Sequence, residues 1–176
     1  MIAQKIKETI RDVADFPKPG IIFKDITPIL KNPVLCKEII RALAKQLEGV
    51  SIDVVAGIES RGFLFGVGLA QALGVPFVPI RKAGKLPYKT IQKTYNLEYG
   101  SATIEVHEDA FGAGQKVLIH DDLLATGGTV VAASALVSEL KAELVAYSFI
   151  INLDFLKGKQ LINSTFKKPV FSLVDY

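Results

Sequence analysis

The chain has a single cysteine, Cys36, so no internal disulfide can hold it together, and that thiol is expected as a small buried apolar group. Long apolar runs are missing. The longest, Leu144 to Ile151, is interrupted by Ser148 and is far shorter than the ~20 residues a membrane helix needs. The opening MIAQKIKETIRDV is charged throughout and lacks an apolar core, so no secretory signal is expected and the compartment expected is the cytosol. Charge of one sign is scarce too. With 21 Lys and Arg against 18 Asp and Glu, the net charge is +3, too small for the salt-driven contacts of a nucleic-acid binder. A small anionic substrate is still compatible with it where basic residues cluster. No Gly-Lys-Ser/Thr occurs, which excludes a Walker A loop, and GFLFGVG does not have dinucleotide-fingerprint spacing. Repeats, linkers and low-complexity tracts are also missing, so one domain is expected over residues 1–176.

What is present is a folding composition, 49% hydrophobic and 22% charged. Mean hydropathy lies on the apolar side, which points to an oligomer interface. Ile2, Ile6, Ile10 and Val13 recur at helical spacing. DFPKPG then stops that helix and forces an extended, turning segment. Asn32-Pro33 reads as an N-cap followed by proline at the first helical position, and Leu35, Ile39, Leu43 and Leu47 give the next helix its apolar face. The runs Asp53–Ile58, Val75–Ile80, Val117–His120 and Leu144–Leu153 are short and apolar, as strands covered on both faces are. The prolines of VPFVPI suggest a strand end or a sheet edge. Helices are expected after ESRG, closing at Gly74, and over Thr129–Leu140. Strands alternating with helices predict an α/β fold with a mostly parallel central sheet flanked by helices. Between them, residues 81–99 carry five basic side chains (Arg81, Lys82, Lys85, Lys89, Lys93) without a clean period and read as a long functional loop or hairpin, with Ser101–His107 as its returning strand.

The stretch VLIHDDLLATGGT, Val117 to Thr129, concentrates the chemistry. In a parallel sheet, ligands gather beyond the carboxyl ends of the strands, and Asp121 and Asp122 are expected at such an end. The following turn opens a helix, whose free N–H groups and dipole favour an anion. Gly127 and Gly128 let the backbone close around that anion, and Thr126 and Thr129 add hydroxyl donors. A helix cap needs one acid beside the helix, not two acids four residues upstream. A phosphate cradle beside two acids suggests a sugar phosphate, with the acids accepting hydrogen bonds from ribose hydroxyls. His120 either adjoins that site and titrates, or is a satisfied strand histidine.

This stretch resembles the phosphoribosyl pyrophosphate signature of the type I phosphoribosyltransferase family. FPKPGIIFKDITPIL, ESRGF, RKAGKLP and YNLEYG, in that order, resemble the members of the family that act on adenine. The resemblance implies the type I fold with a flexible loop and hood insertion, the loop at about residues 81–100. It also implies a purine-salvage reaction in which adenine and phosphoribosyl pyrophosphate give AMP and pyrophosphate with Mg²⁺, in a homodimer. By the same resemblance, Ala125, Thr126, Gly127, Gly128 and Thr129 hold the 5′-phosphate. Asp121 and Asp122 face the ribose and reach the metal through water. Glu59, Ser60 and Arg61 form the pyrophosphate loop, with a cis peptide at Glu59–Ser60, and Arg81, Lys82 and Lys85 add cationic partners. Ile22, Phe23 and Lys24 read the base, with Phe23 on one face of the purine and Leu156 on the other. Lys24 stands where arginine is frequent, which is harmless if only its backbone reads the base. Glu98 exchanges a proton at the imidazole edge of the purine, beside Tyr99. The rival readings are a 6-oxopurine phosphoribosyltransferase and a non-catalytic regulator that binds the same ligand.

Overall fold

A computed structural model describes residues 1–96 and 100–176. Helix α1 (Ile2–Thr9) is shorter than its apolar spacing predicts. Ile10 is already extended, and Val13 lies in strand β1 (Arg11–Ala14), which pairs antiparallel with β2 (Ile22–Asp25). The cause is non-local: a ladder to a strand beyond the proline turn outcompetes two further residues of helix. A short α2 (Thr27–Leu30) leads to α3 (Pro33–Gln46), where the Asn32 side chain accepts from Leu35 N at 3.0 Å, the cap expected of it. Leu35, Ile39, Leu43 and Leu47 are all buried, each such side chain contributing ~1.5–3 kcal/mol.

Strand β3 (Val54–Ile58) is buried along its whole length, and α4 (Arg61–Leu73) closes at Gly74 with φ 70°. Next come β4 (Phe77–Lys82), β5 (Thr90–Asn96), β6 (Ser101–His107) and β7 (Lys116–Leu124). The chain continues through α5 (Gly128–Glu139), β8 (Glu143–Asn152), a 3-10 turn at Asp154–Leu156, α6 (Gly158–Thr165) and β9 (Val170–Asp175).

The main sheet runs β5-β6-β4-β3-β7-β8-β9, with β4, β3, β7, β8 and β9 parallel and the β5–β6 hairpin antiparallel. β4 is therefore an interior strand, not an edge. Its prolines are tolerated because Pro76 precedes the strand and β6 pairs with β4 only at Arg81 and Lys82, which leaves Pro79 without a ladder on that side. One half of the core lies under α5, around Ile119, Leu136 and Tyr147. The other lies under α1, α3 and α4, around Ile39, Phe65 and Leu118. Among the described residues, no helix is long and apolar enough to cross a membrane.

Candidate active site

Asp121 and Asp122 lie near the carboxyl end of β7, as expected, three and two residues before its last residue, Leu124. The site opens because β7 has different partners on its two edges. β3 pairs with it only as far as His120, whereas β8 follows it to Leu124. Past His120, one edge of the strand is uncovered, and the first turn of α4 sits over it. Gly62 makes that approach possible, since a Cβ there would fall 2.9 Å from Asp121 Oδ1 and 3.0 Å from the His120 carbonyl.

The two acids are held in unlike surroundings. Asp121 lines a pocket of about 80 Å³ together with the loop from Leu123 to Val130, and its Oδ1 accepts from Asp122 N at 2.8 Å. Asp122 is 2% exposed and forms an ion pair from Oδ2 to Arg61 Nε at 3.1 Å. Burial raises the pKa of both. Burial first, and then the neighbouring Asp122 charge, drive Asp121 well above the ordinary carboxylate range, while the Arg61 guanidinium opposes the rise at Asp122. A larger cleft of about 230 Å³ lies around Lys5, Asn32 and Glu38, remote in sequence from both acids and the glycine loop. The smaller pocket is the one that Asp121 shares with the glycine loop.

Gly127 precedes α5 with φ 87°, a conformation that glycine adopts freely, and the turn aims the start of α5 at the pocket. Behind it, α6 begins in tight contact. A Cβ on Gly127 would lie 3.1 Å from the Gly158 carbonyl, and one on Gly158 would collide with the Ala125 carbonyl. Gly158 thus sets the back wall of the loop, although its place in FLKG carried no such signal. Thr126 is exposed, and Thr129 donates from Oγ1 to the Tyr95 hydroxyl at 2.9 Å.

Arg61 joins two parts of the site. Besides pairing with Asp122, its guanidinium lies 5.0 Å from the centroid of the Phe23 ring. Phe23 is half-buried and meets Phe16 edge-on at 5.1 Å between centroids. β2 pairs only with β1 among the described residues, so its outer edge is free for backbone recognition, and Ile22 is 58% exposed there. The Lys24 side chain turns away, pairing with Asp12 at 2.7 Å and lying 4.2 Å from the Tyr176 ring centroid. Leu156 packs on the core half that contains Leu118 and Leu153.

The Glu59–Ser60 peptide is cis, as is Phe16–Pro17. Ser60 is exposed. The Glu59 carboxylate takes Arg81 Nε and Lys82 N, each at 3.0 Å, and so braces the basic turn. Burial acts to raise its pKa, but the bonds from Lys82 and Arg81 outweigh that and hold it low. Arg81 also donates to the Lys85 carbonyl at 3.2 Å. From the other side, Glu105, 2% exposed, accepts Lys85 N and Leu86 N at 2.9 and 2.8 Å and Gln92 Nε2 at 3.1 Å. Burial pushes this carboxyl up, yet the backbone donors of the turn win and its pKa is lowered. Strand alternation in SATIEVH gives no sign of Glu105, because the cover comes from the turn and not from a neighbouring strand. The anticipated residues Glu98 and Tyr99 lie outside the described residues.

His120 is fully buried, with Nδ1 3.4 Å from Ser148 Oγ and Nε2 without a hydrogen-bond partner among the described residues. Burial pushes its pKa down to about 4, so it is a neutral strand histidine near pH 7.

A model of the phosphoribosyl transferase domain matches residues 25–163. The chain belongs to the phosphoribosyl transferase family. An adenine phosphoribosyltransferase of Cytophaga hutchinsonii is 53% identical over 176 residues, covering 100% of this chain and 97% of that protein. The adenine phosphoribosyltransferase of Saccharomyces cerevisiae, solved with an imino-altritol bisphosphate and adenine, superposes with a TM-score of 0.89 at 47% identity, covering 98% of each chain. The Trypanosoma brucei enzyme, solved with AMP, pyrophosphate and ribose-5-phosphate, gives a TM-score of 0.89 at 30% identity over 99% of this chain and 79% of the other. In this phosphoribosyl transferase, Arg61 contacts both Asp122 and Phe23, Asp121 shares a pocket with the glycine loop, and Glu59 and Glu105 hold the basic turn between them.

Proposed function

We propose that this chain transfers the 5-phosphoribosyl group of phosphoribosyl pyrophosphate to adenine, giving AMP and pyrophosphate in purine salvage. One observation carries the reading: Arg61 links Asp122 to the Phe23 ring, so the acid pair that faces the sugar adjoins the edge that would read a base. Ala125 to Thr129 hold the 5′-phosphate with backbone N–H groups and hydroxyls. Asp121 and Asp122 hydrogen-bond the ribose hydroxyls and stabilise positive charge that develops at C1′. Arg61 and Ser60, with Arg81, Lys82 and Lys85 on their braced turn, receive the pyrophosphate. The free edge of β2 supplies a carbonyl and an N–H to the amino group and ring nitrogen of adenine, with Phe23 and Leu156 against its faces. The protonation role of Glu98, beside Tyr99, rests on the LEYG motif alone.

The acid pair fits Mg²⁺. Asp122 Oδ2 already faces Arg61, but Asp121 lines the open pocket, and its crowding against Asp122 favours a further cation there. Among the described residues, no group of three or more acidic, His or Cys side chains could hold a metal by itself, so Asp121 and Asp122 would hold the ion through water, with the rest of its shell from substrate oxygens. Bound there, it supplies charge neutralisation to the departing pyrophosphate. The same reading takes residues 1–176 as one catalytic unit, active as a cytosolic homodimer.

The deciding assay offers adenine and hypoxanthine with phosphoribosyl pyrophosphate and Mg²⁺ and follows absorbance. Adenine is consumed and hypoxanthine rejected by a factor on the order of 10⁴ in kcat/KM, because a 6-oxo base meets the donor and acceptor of β2 in the wrong order. Equal use of both bases would remove the adenine assignment. A second expectation concerns the loop's back wall. Gly158→Ala lowers stability by ~1–3 kcal/mol through overpacking against Ala125 and Leu124. It also shrinks the rise in melting temperature that ribose 5-phosphate produces. Melting curves with and without that ligand measure both effects.

A further inference from the structure

We infer that the Tyr95 phenol belongs to the 5′-phosphate site and acts on it through Thr129. The inference rests on the function proposed above. Tyr95 is on β5, opposite Ala102 of β6, and packs against the core half under α5. It adjoins the glycine loop at two positions, Thr129 and Gly128. Its hydroxyl accepts from Thr129 Oγ1 at 2.9 Å, and a Cβ on Gly128 would stand 3.5 Å from its ring, an ordinary van der Waals contact. These two points fasten the hairpin to the start of α5, across 34 positions of sequence.

A threonine hydroxyl carries one proton and two acceptor lone pairs. As long as its proton goes to Tyr95, Thr129 presents only lone pairs to the pocket, and lone pairs repel a phosphate. Binding a phosphate therefore reverses the bond: the Thr129 proton turns to the phosphate oxygen, and Tyr95 O–H donates to Thr129 Oγ. No covalent bond changes. The phenol replaces the hydrogen bond that Thr129 gives up and polarises the Thr129 hydroxyl as a donor to a charged acceptor, where hydrogen bonds are strongest. Tyr95 is thus a positioning residue for the phosphate, supplied by the hairpin that flanks the site.

Tyr95→Phe keeps the ring on Gly128 and removes only the hydroxyl. It is expected to raise the KM for phosphoribosyl pyrophosphate and the Kd for ribose 5-phosphate by roughly two- to fourfold, the strengthening of the charge-assisted Thr129 bond that is lost. The KM for adenine stays close to its original value, and the ligand-free protein melts roughly 2–4 °C lower because the bond to Thr129 is lost there too. Thr129→Val gives a similar rise, and the double variant binds ribose 5-phosphate no more weakly than Thr129→Val alone, because the phenol acts only through that hydroxyl. Unchanged ribose 5-phosphate binding in Tyr95→Phe, or additive losses in the double variant, overturns the inference alone. Failure of the unaltered chain to bind ribose 5-phosphate overturns the proposed function with it.

Discussion

Asp122→Asn lowers kcat by a factor on the order of 10²–10³ while the protein remains folded. The acid is 2% exposed and ion-paired with Arg61, so its charge acts in a site where little water screens it. Asparagine keeps the shape and removes the charge that would oppose the cation developing on the sugar. The companion variant separates electrostatics from packing. Burial and the adjacent Asp122 charge raise the pKa of Asp121 well above its ordinary value of 3.8. The folded state then binds that proton more tightly than the unfolded state. Stability contributed by the protonated acid is complete at pH values below 3.8 and falls as pH rises through the higher folded value. At neutral pH the pair therefore strains the ligand-free fold, and Asp121→Asn is expected to melt at a higher temperature than the original chain while losing activity. Kinetics and melting on the same preparations test this. Unchanged kcat in Asp122→Asn would reduce the acid to a structural role.

Acidification is expected to remove about 3 kcal/mol of stability through His120 alone. The side chain is fully buried and its pKa is pushed down from 6.5 to about 4. A depressed base binds fewer protons when folded than when unfolded. Its contribution is intact above pH 6.5 and is lost as pH falls toward about 4. Raised carboxyls such as Asp121 act in the opposite sense, while Glu59 and Glu105, held low, lose stability only on further acidification. The His120 component is isolated by substitution. His120→Leu flattens denaturant-derived stability between pH 6.5 and 4 relative to the original chain, measured without divalent ions. Parallel curves for the two proteins would show that the imidazole does not titrate in this way.

Much of the architecture was legible locally. The wholly apolar β3, the Asn32-Pro33 start of α3 and the Gly74 stop of α4 each follow from side chains within a few positions of the feature. The segment read as a loop or hairpin contains β5, which pairs with β6, the returning strand expected at Ser101–His107. The glycine loop and its acids were legible for the same reason, since they are contiguous in sequence. Misreadings arose where a distant segment intervened. Ile10 and Val13 fit a helical stripe but leave it for a ladder with β2, and Pro79 looks like an edge residue in a strand that the fold places inside the sheet. β9 and α6 were not anticipated.

By itself the sequence determined the alternation of strands and helices from α3 to β8, the glycine loop beside the acids and the residue types available for chemistry. These depend on backbone preference and local spacing, which act over a few residues. Only the tertiary structure decided that Asp121 lines the loop pocket while Asp122 pairs with Arg61, that Glu105 is buried under the basic turn, and that Tyr95 reaches Thr129. Each of those depends on which strand stops pairing where, and on side chains brought together from far apart in the chain, whose burial then sets their charge and hydrogen bonding.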